Sequence, residues 1–274
     1  MTAARRAGVL GTPIAHSLSP VIHNAGYAAA GLTGWSYTRI ECAAAELPGV
    51  LAGLGPEWAG LSVTMPGKEA ALAVAAEVSP VAAAVGAANT LVRRPDGSWY
   101  ADNTDVVGMV EVLTDAGVRP GATVAVLGAG GTARAAVAAA GRLDARAVTV
   151  VARRPAAVEQ LRPVARAVGV EMTGAPWRDA ADRCRADLVV STVPKGVADP
   201  LADAVAWRPG TVLFDALYDP WPTPLAASAE AAGCRIVSGL DLLLAQAVGQ
   251  FEHFTGVPAP RAAMAAALAA ARAV

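Results

Sequence analysis

The feature that most constrains this chain is a glycine turn between an apolar run and an alanine-rich stretch. Thr123 to Leu127 is short, apolar and rich in β-branched residues. Gly128-Ala129-Gly130-Gly131-Thr132-Ala133 follows, and helix-forming alanines continue to Gly141. Glycines there let a strand turn tightly into a helix and let the backbone approach a ligand closely. The helix N-terminus then offers unpaired N–H groups that suit a pyrophosphate. Residues Gly128 to Ala133 are therefore candidate dinucleotide ligands.

Which dinucleotide is read at the end of the next strand. An NAD site carries an Asp or Glu there, roughly 20 residues on, to hold the ribose hydroxyl. Here Ala147 to Ala152 is followed by Arg153-Arg154-Pro155, with no acid. Two guanidinium groups favour a phosphate through charge-assisted, forked hydrogen bonds. NADP is the expected cofactor.

Around this turn, apolar runs alternate with helical stretches. Leu188 to Ser191, Val212 to Phe214 and Arg235 to Val237 read as further buried strands, which predicts a parallel, doubly wound sheet. The first hundred residues alternate too. Gly8 to Leu10, Trp35 to Ile40 and Leu61 to Val63 read as strands, and Ser19 to Ala30 and Ala43 to Leu54 as helices. Asn89 to Arg93 and Trp99 to Ala101 flank Pro95-Asp96-Gly97, a hairpin-turn signal. The expected fold class is α/β. Residues 1–104 form a substrate domain and 105–238 a dinucleotide-binding domain. Helices in 239–274, at Gly239 to Thr255 and Pro260 to Ala271, return to the first domain. A helix from Thr104 to Ala116 leads from one domain to the other.

Composition excludes several classes. A net charge of −1 gives no basic face for nucleic acid. No apolar run approaches the ~20 residues of a membrane span. Arg5-Arg6 is not a secretion signal, because Gly11, Pro13 and His16 break the run behind it. Cys42, Cys184 and Cys234 form no C-x-x-C and read as buried thiols of a reducing compartment. The three histidines lack metal-ligand spacing, and no metal is expected. The protein is expected to be cytoplasmic, as a monomer or homodimer acting on a small molecule. Of its 22 basic residues, all but Lys68 and Lys195 are arginine. Arginine does not surrender its proton at usable pH and lysine can, so a lysine here is a candidate proton donor.

Four segments of the first half are too polar for packing alone. They are Gly11-Thr12-Pro13-Ile14-Ala15-His16-Ser17-Leu18-Ser19-Pro20, ending in His23-Asn24, Leu61-Ser62-Val63-Thr64-Met65-Pro66-Gly67-Lys68-Glu69, Gly86-Ala87-Ala88-Asn89-Thr90 and Asp102-Asn103-Thr104-Asp105-Val106-Val107-Gly108. Each follows or ends an expected strand, where ligands bind in open α/β sheets. Later segments are Ser191-Thr192-Val193-Pro194, Asp215-Ala216-Leu217-Tyr218 and Gly239-Leu240-Asp241-Leu242-Leu243-Leu244-Ala245-Gln246-Ala247. In this order, with the glycine turn, they resemble the shikimate dehydrogenase family over nearly the whole chain.

That resemblance implies reversible reduction of 3-dehydroshikimate to shikimate with NADPH, a step toward aromatic amino acids. It implies Lys68 and Asp105 as the acid–base pair. Ser17 and Ser19 would hold the substrate carboxylate with Tyr218 over it; Ser62, Thr64, Asn89 and Gln246 would face the ring. It adds Ser191, Thr192 and Gly239 to the cofactor side. Ser19 before Pro20 also reads as a helix N-cap, and His16 and His23 as loop or helix-surface residues. Three positions depart from the common family pattern: Ser62 for Asn, Ala152-Arg153-Arg154 for Asn-Arg-Thr, and Ser191-Thr192-Val193 for Asn-Thr-Thr. Rival readings are a quinate/shikimate dehydrogenase using NAD or NADP, a folate-type dehydrogenase of similar architecture, and a non-catalytic dinucleotide-binding regulator.

Overall fold

The computed structural model describes residues 4–272. By their internal contacts these fall into two units. One takes the chain up to Thr104 and again from Leu243 onward; the other is Asp105–Leu242.

The first unit holds six strands: β1 (Arg5–Gly11), β2 (Trp35–Glu41), β3 (Trp58–Val63), β4 (Glu77–Val78), β5 (Thr90–Arg93) and β6 (Trp99–Asp102). They form one sheet in the order β2-β1-β3-β5-β6-β4. Strand β1 runs parallel to both β2 and β3, whereas β5 is antiparallel to β3 and to β6. This mixed pairing has a functional consequence. The ends of β1, β3 and β6 and the beginning of β5 all emerge at one edge of the sheet, and the four polar segments lie there. Strand β3 is buried at every residue, as a central strand covered on both faces must be. The hairpin expected at Pro95-Asp96-Gly97 is present: Arg94 and Gly97 close it, with Gly97 at φ +87°.

Helices Ser19–Ala29 and Arg261–Arg272 pack against one another in this unit. Gly26 permits the close packing there: a Cβ would meet Phe251 at 2.9 Å and Met264 at 3.1 Å. The C-terminal helices thus return to the first sheet's unit. The helix expected over Ala43 to Leu54 is instead a 3-10 turn, Ala44–Glu46, followed by a short helix, Leu47–Ala52. Pro48 lacks the N–H that a continuous helix would need at that point. Helices Lys68–Val74 and Pro80–Val85 and the two-residue strand β4 carry too little periodicity to be read from sequence.

The second unit holds β7 (Thr123–Leu127), β8 (Ala147–Ala152), β9 (Met172–Pro176), β10 (Leu188–Ser191), β11 (Val212–Asp215) and β12 (Arg235–Ser238). All neighbours are parallel, in the order β12-β11-β10-β7-β8-β9. This is the strand order of a dinucleotide-binding sheet, and its direction reverses between β7 and β10. The edge strand β9 was not legible, because Met172-Thr173-Gly174-Ala175-Pro176 is half-exposed and offers no apolar run.

Candidate active site

In the first unit, backbone hydrogen bonds tie the polar loops together. The Thr12 N–H donates to the Met65 oxygen (3.2 Å), Thr64 to Leu10 (2.9 Å) and Ala88 to the Lys68 oxygen (2.9 Å). Gly11 has a local reason to be glycine, since a Cβ would press on Thr64 Cγ2 at 2.5 Å. Lys68 opens the helix Lys68–Val74 and is half-buried, as is Thr64. Ser17, Ser19, Thr64, Lys68 and Asn89 therefore stand on connected loops at a single sheet edge, and Asp105 follows Thr104 as the first residue of the second unit.

Asn89 is the centre of a buried polar network. Its main-chain oxygen accepts from Val63 N–H at 2.7 Å, and its N–H donates to Asp102 at 3.1 Å, so the sheet holds its backbone. Its Oδ1 accepts from the Thr104 N–H (2.8 Å) and the Thr90 hydroxyl (2.7 Å). Its Nδ2 donates to Thr104 Oγ1 at 3.0 Å and lies 3.5 Å from Gln246 Oε1. Gln246 donates in turn to the Leu243 oxygen at 2.8 Å. Asn89 is no mere surface turn residue: it is 2% exposed.

Three readings need correction. Ser19 is not the N-cap of its helix. Leu18 holds that position without a side-chain cap, Ser19 is the first helical residue, and its N–H is met by Ser17 Oγ at 3.3 Å. Ser62 faces inward: its oxygen accepts from the Tyr37 hydroxyl at 2.6 Å, and its own hydroxyl donates to Gln250 Oε1 at 2.6 Å. That leaves it little capacity for a ring hydroxyl. His23 is no surface residue. It is fully buried, stacked on Tyr37 at 4.1 Å between ring centroids, and burial holds its imidazole down to about 3. Gln250 lies close enough to favour the protonated ring, but makes no hydrogen bond of good geometry to either nitrogen.

Asp102 ends β6 with its carboxylate taken by Ser79 (2.5 Å), the Asn103 N–H (2.7 Å) and His253 (3.0 Å). Burial opposes its charge, but these three partners outweigh it and hold the carboxyl below the usual range. Tyr37 and Gln250 were missed from the sequence, and Thr90 and Thr104 lay in the polar segments without an assigned role. Gln250 left a signal, as a second glutamine one turn after Gln246 on an otherwise apolar face.

In the second unit, Gly128 leaves β7 at φ +102°, and a Cβ there would lie 2.6 Å from Thr192 Oγ1. The fold itself requires that glycine. Gly130 and Gly131 differ: their φ values are not left-handed, and a Cβ on either meets nothing within 4 Å. Nothing in the protein demands glycine at these exposed positions, which leaves open space at the start of helix Gly131–Arg142. That helix carries no acid in its first turn. This is a cradle that a side chain would fill and that an anionic group fits. Thr192 donates to the Leu127 oxygen at 2.9 Å, locking the β10 loop against β7. Arg153 and Arg154 are exposed just past β8, with no acid paired to either among the described residues.

The fold itself constrains Ser191 and Gly239, the other two residues expected on the cofactor side. The Ser191 side chain is buried beside Asp215, whose carboxyl is pushed up by burial against hydrogen bonds from Thr223 and the Leu217 N–H. Ser191 Oγ therefore faces the interior. Gly239 is required by close approach of Ala216 and of the Tyr218 ring, which a Cβ would meet at 3.1 Å. Tyr218 is half-buried, and burial, then the nearby Asp219 charge, raises its hydroxyl. Among the described residues no His, Cys, Asp or Glu cluster suits a metal ion, and no helix is long and apolar enough to cross a membrane.

Residues 9–91 match the family described as shikimate dehydrogenase substrate binding domain, and residues 239–269 match the shikimate 5'-dehydrogenase C-terminal domain. A shikimate dehydrogenase (NADP(+)) of Citrifermentans bemidjiense is 40% identical, with 96% of this chain and 94% of that protein covered. The crystal structure of Mycobacterium tuberculosis shikimate dehydrogenase is 51% identical, with a TM-score of 0.90 and 97% and 99% of the two chains covered. The Thermus thermophilus shikimate 5-dehydrogenase, solved with NADP(H) and shikimate, is 32% identical, with a TM-score of 0.84 and 97% and 99% covered. With relatives this similar along nearly its full length, and with the polar loops and the glycine cradle in place, the chain belongs to the shikimate dehydrogenase family.

Proposed function

We propose that this chain reduces 3-dehydroshikimate to shikimate, reversibly, with NADPH, in the cytoplasm. The observation that carries the reading is the set of loops at one edge of the first sheet, where Lys68 and the Asn89–Thr104–Gln246 network are held by backbone bonds. Residues 1–104 and the C-terminal helices are assigned to the ring acid, and residues 105–238 to the dinucleotide.

NADPH, when bound, supplies the hydride. The Gly130–Gly131 opening fits its pyrophosphate, and Arg153 with Arg154 fits its 2′-phosphate. Lys68 and Asp105 are assigned as the acid–base pair, with Lys68 donating the proton that the forming alkoxide requires. Ser17 and Ser19 hold the ring carboxylate, and Thr64, Asn89 and Gln246 hold ring oxygens; Tyr218 is assigned to the same carboxylate on the family resemblance. The hydrogen bonds that hold Asn89, Thr104 and Gln246 to one another are set before the substrate arrives, so little reorganisation of that network is needed in the transition state.

The test is a comparison of kcat/KM for shikimate and quinate, each with NADP and NAD. Shikimate with NADP is expected to give the highest of the four values. A preference for quinate with NAD would replace the reading with that of a quinate dehydrogenase. Absence of turnover with all four pairs would leave a dinucleotide-binding protein without this chemistry.

A further inference from the structure

Behind Asn89 runs a chain of buried hydrogen bonds whose direction can be deduced. Two backbone groups fix it. The main-chain oxygen of Asn89 can only accept, and Gln250 approaches it at 3.1 Å, so that end of the Gln250 amide is Nε2. The Thr104 main-chain N–H can only donate, and Asn89 meets it at 2.8 Å, so that end of the Asn89 amide is Oδ1. Everything between then follows. Gln250 Oε1 takes the Ser62 proton at 2.6 Å, so Ser62 accepts from Tyr37 at 2.6 Å. Gln250 Nε2 also donates to Thr90 Oγ1 at 3.1 Å, so Thr90 turns its own proton to Asn89 Oδ1 at 2.7 Å.

The far end of the chain is fixed as firmly. Asn24 clamps the backbone of Tyr37 from both sides, accepting from its N–H at 2.9 Å and donating to its oxygen at 3.0 Å. His23 stacks on the Tyr37 ring with the two planes almost parallel, at 2°. Ser62 and Gln250 are 5% and 1% exposed, so water does not compete for these bonds. All members belong to the first unit.

We propose that Gln250 is a positioning residue that makes Asn89 a hydrogen-bond donor toward the substrate. Its Nε2 clamps the Asn89 backbone and, through Thr90, saturates Asn89 Oδ1. The capacity that remains on Asn89 is then at Nδ2, whose second contact, to Gln246 Oε1, is long at 3.5 Å. A ring oxygen that accepts is held there, and a group that only donates is rejected. The short Ser62 hydroxyl belongs to this device: it relays between Tyr37 and Gln250 instead of reaching for the ligand. This inference rests on the proposed reading of Asn89 as a substrate-holding residue.

The test uses the full-length enzyme and shikimate oxidation, with Gln250→Met, Gln250→Glu and Asn89→Ala, and melting curves for each. Gln250→Met removes both ends of the amide. It is expected to raise KM for shikimate about ten-fold, with KM for NADP within about two-fold and kcat little changed. Gln250→Glu keeps the shape but, when ionised, cannot donate to Thr90 or to the Asn89 oxygen. Thr90 then turns its proton away from Asn89. Protonation of the buried carboxyl restores one donor and one acceptor, and burial raises the pH at which that happens. The ratio of its KM to that of wild type is expected to fall as the pH is lowered from about 9 to about 6. The groups beside it, His23 and Tyr37, keep their protonation over that range.

Shikimate KM within two-fold of wild type in both Gln250 variants, beside a raised KM in Asn89→Ala, would overturn the proposal and leave the site reading standing. So would equal rises in KM for shikimate and NADP, or a raised KM ratio in Gln250→Glu that does not change with pH. An unchanged KM in Asn89→Ala would overturn the reading of the site and the proposal with it. Gln250→Met carries the decision if the glutamate variant does not fold.

Discussion

Ser17 Oγ accepts the N–H of Ser19 at 3.3 Å, so the two serines form a local pair at the mouth of helix Ser19–Ala29. Arg39 holds this loop by a fork of two N–H groups on the Ser17 main-chain oxygen, at 2.6 and 3.0 Å. Ser17→Ala removes the proposed carboxylate contact together with the acceptor for the Ser19 N–H. Ser19→Ala removes only a hydroxyl, because the helix is not capped by it. We expect each to raise KM for shikimate, since a hydrogen bond to a charged group contributes about 1.5–3 kcal/mol. Ser19→Ala should leave the melting temperature nearly unchanged, which calorimetry checks beside the kinetics. Unchanged KM in both variants would remove the pair from the site.

Lys68 has its backbone oxygen tied to Ala88 and opens a helix, so its stem is well anchored. Lys68→Ala is expected to lower kcat by roughly 10²-fold or more with little change in KM, as for loss of a transition-state interaction. Lys68→Arg should rescue poorly, because guanidinium is a feeble acid. Steady-state kinetics with a solvent isotope effect decide it. Near-normal kcat in the alanine variant, with chemistry rate-limiting, would assign the proton to another group.

Arg153 and Arg154 are exposed just past β8, where the 2′-phosphate that distinguishes NADP from NAD is proposed to bind. Arg153→Ala is expected to weaken NADP binding by about 1.5–3 kcal/mol and to leave NAD almost unaffected. Arg154→Ala should act in the same direction but less. The preference should shrink as salt rises, since exposed charges are screened. Dissociation constants for both cofactors at two ionic strengths test this; equal losses for NADP and NAD would place the phosphate elsewhere.

His23 makes a prediction about acid stability. Its folded value of about 3 lies below the unfolded value of 6.5, so the unfolded chain binds the extra proton between those limits. Stability from this group is therefore full above about pH 6.5 and is lost as the pH falls toward 3, by about 1.4 kcal/mol per pH unit. Tyr27 and Tyr37, its aromatic neighbours, do not titrate there, because burial raises both. Denaturant unfolding across that window should show a shallower pH slope for His23→Phe than for wild type. Equal slopes would mean that the imidazole reaches solvent.

What the sequence determined by itself is local or periodic. Strands β7, β8 and β10 were legible to the residue because each is a short apolar run ended by glycine, arginine or a polar loop. Gly128 was legible because turn geometry acts where it stands in the chain. The tertiary structure decided what depends on partners far along it. Ser62 reads as a ligand-facing serine until Tyr37 on one side and Gln250 on the other take its hydroxyl. Ser19 reads as a cap until the helix begins one residue earlier, and His23 reads as a surface group until the C-terminal helices cover it. A hydrogen-bonding side chain spends its capacity on whichever group is nearest in space. For Asn89 the deciding partner is 161 residues away in sequence.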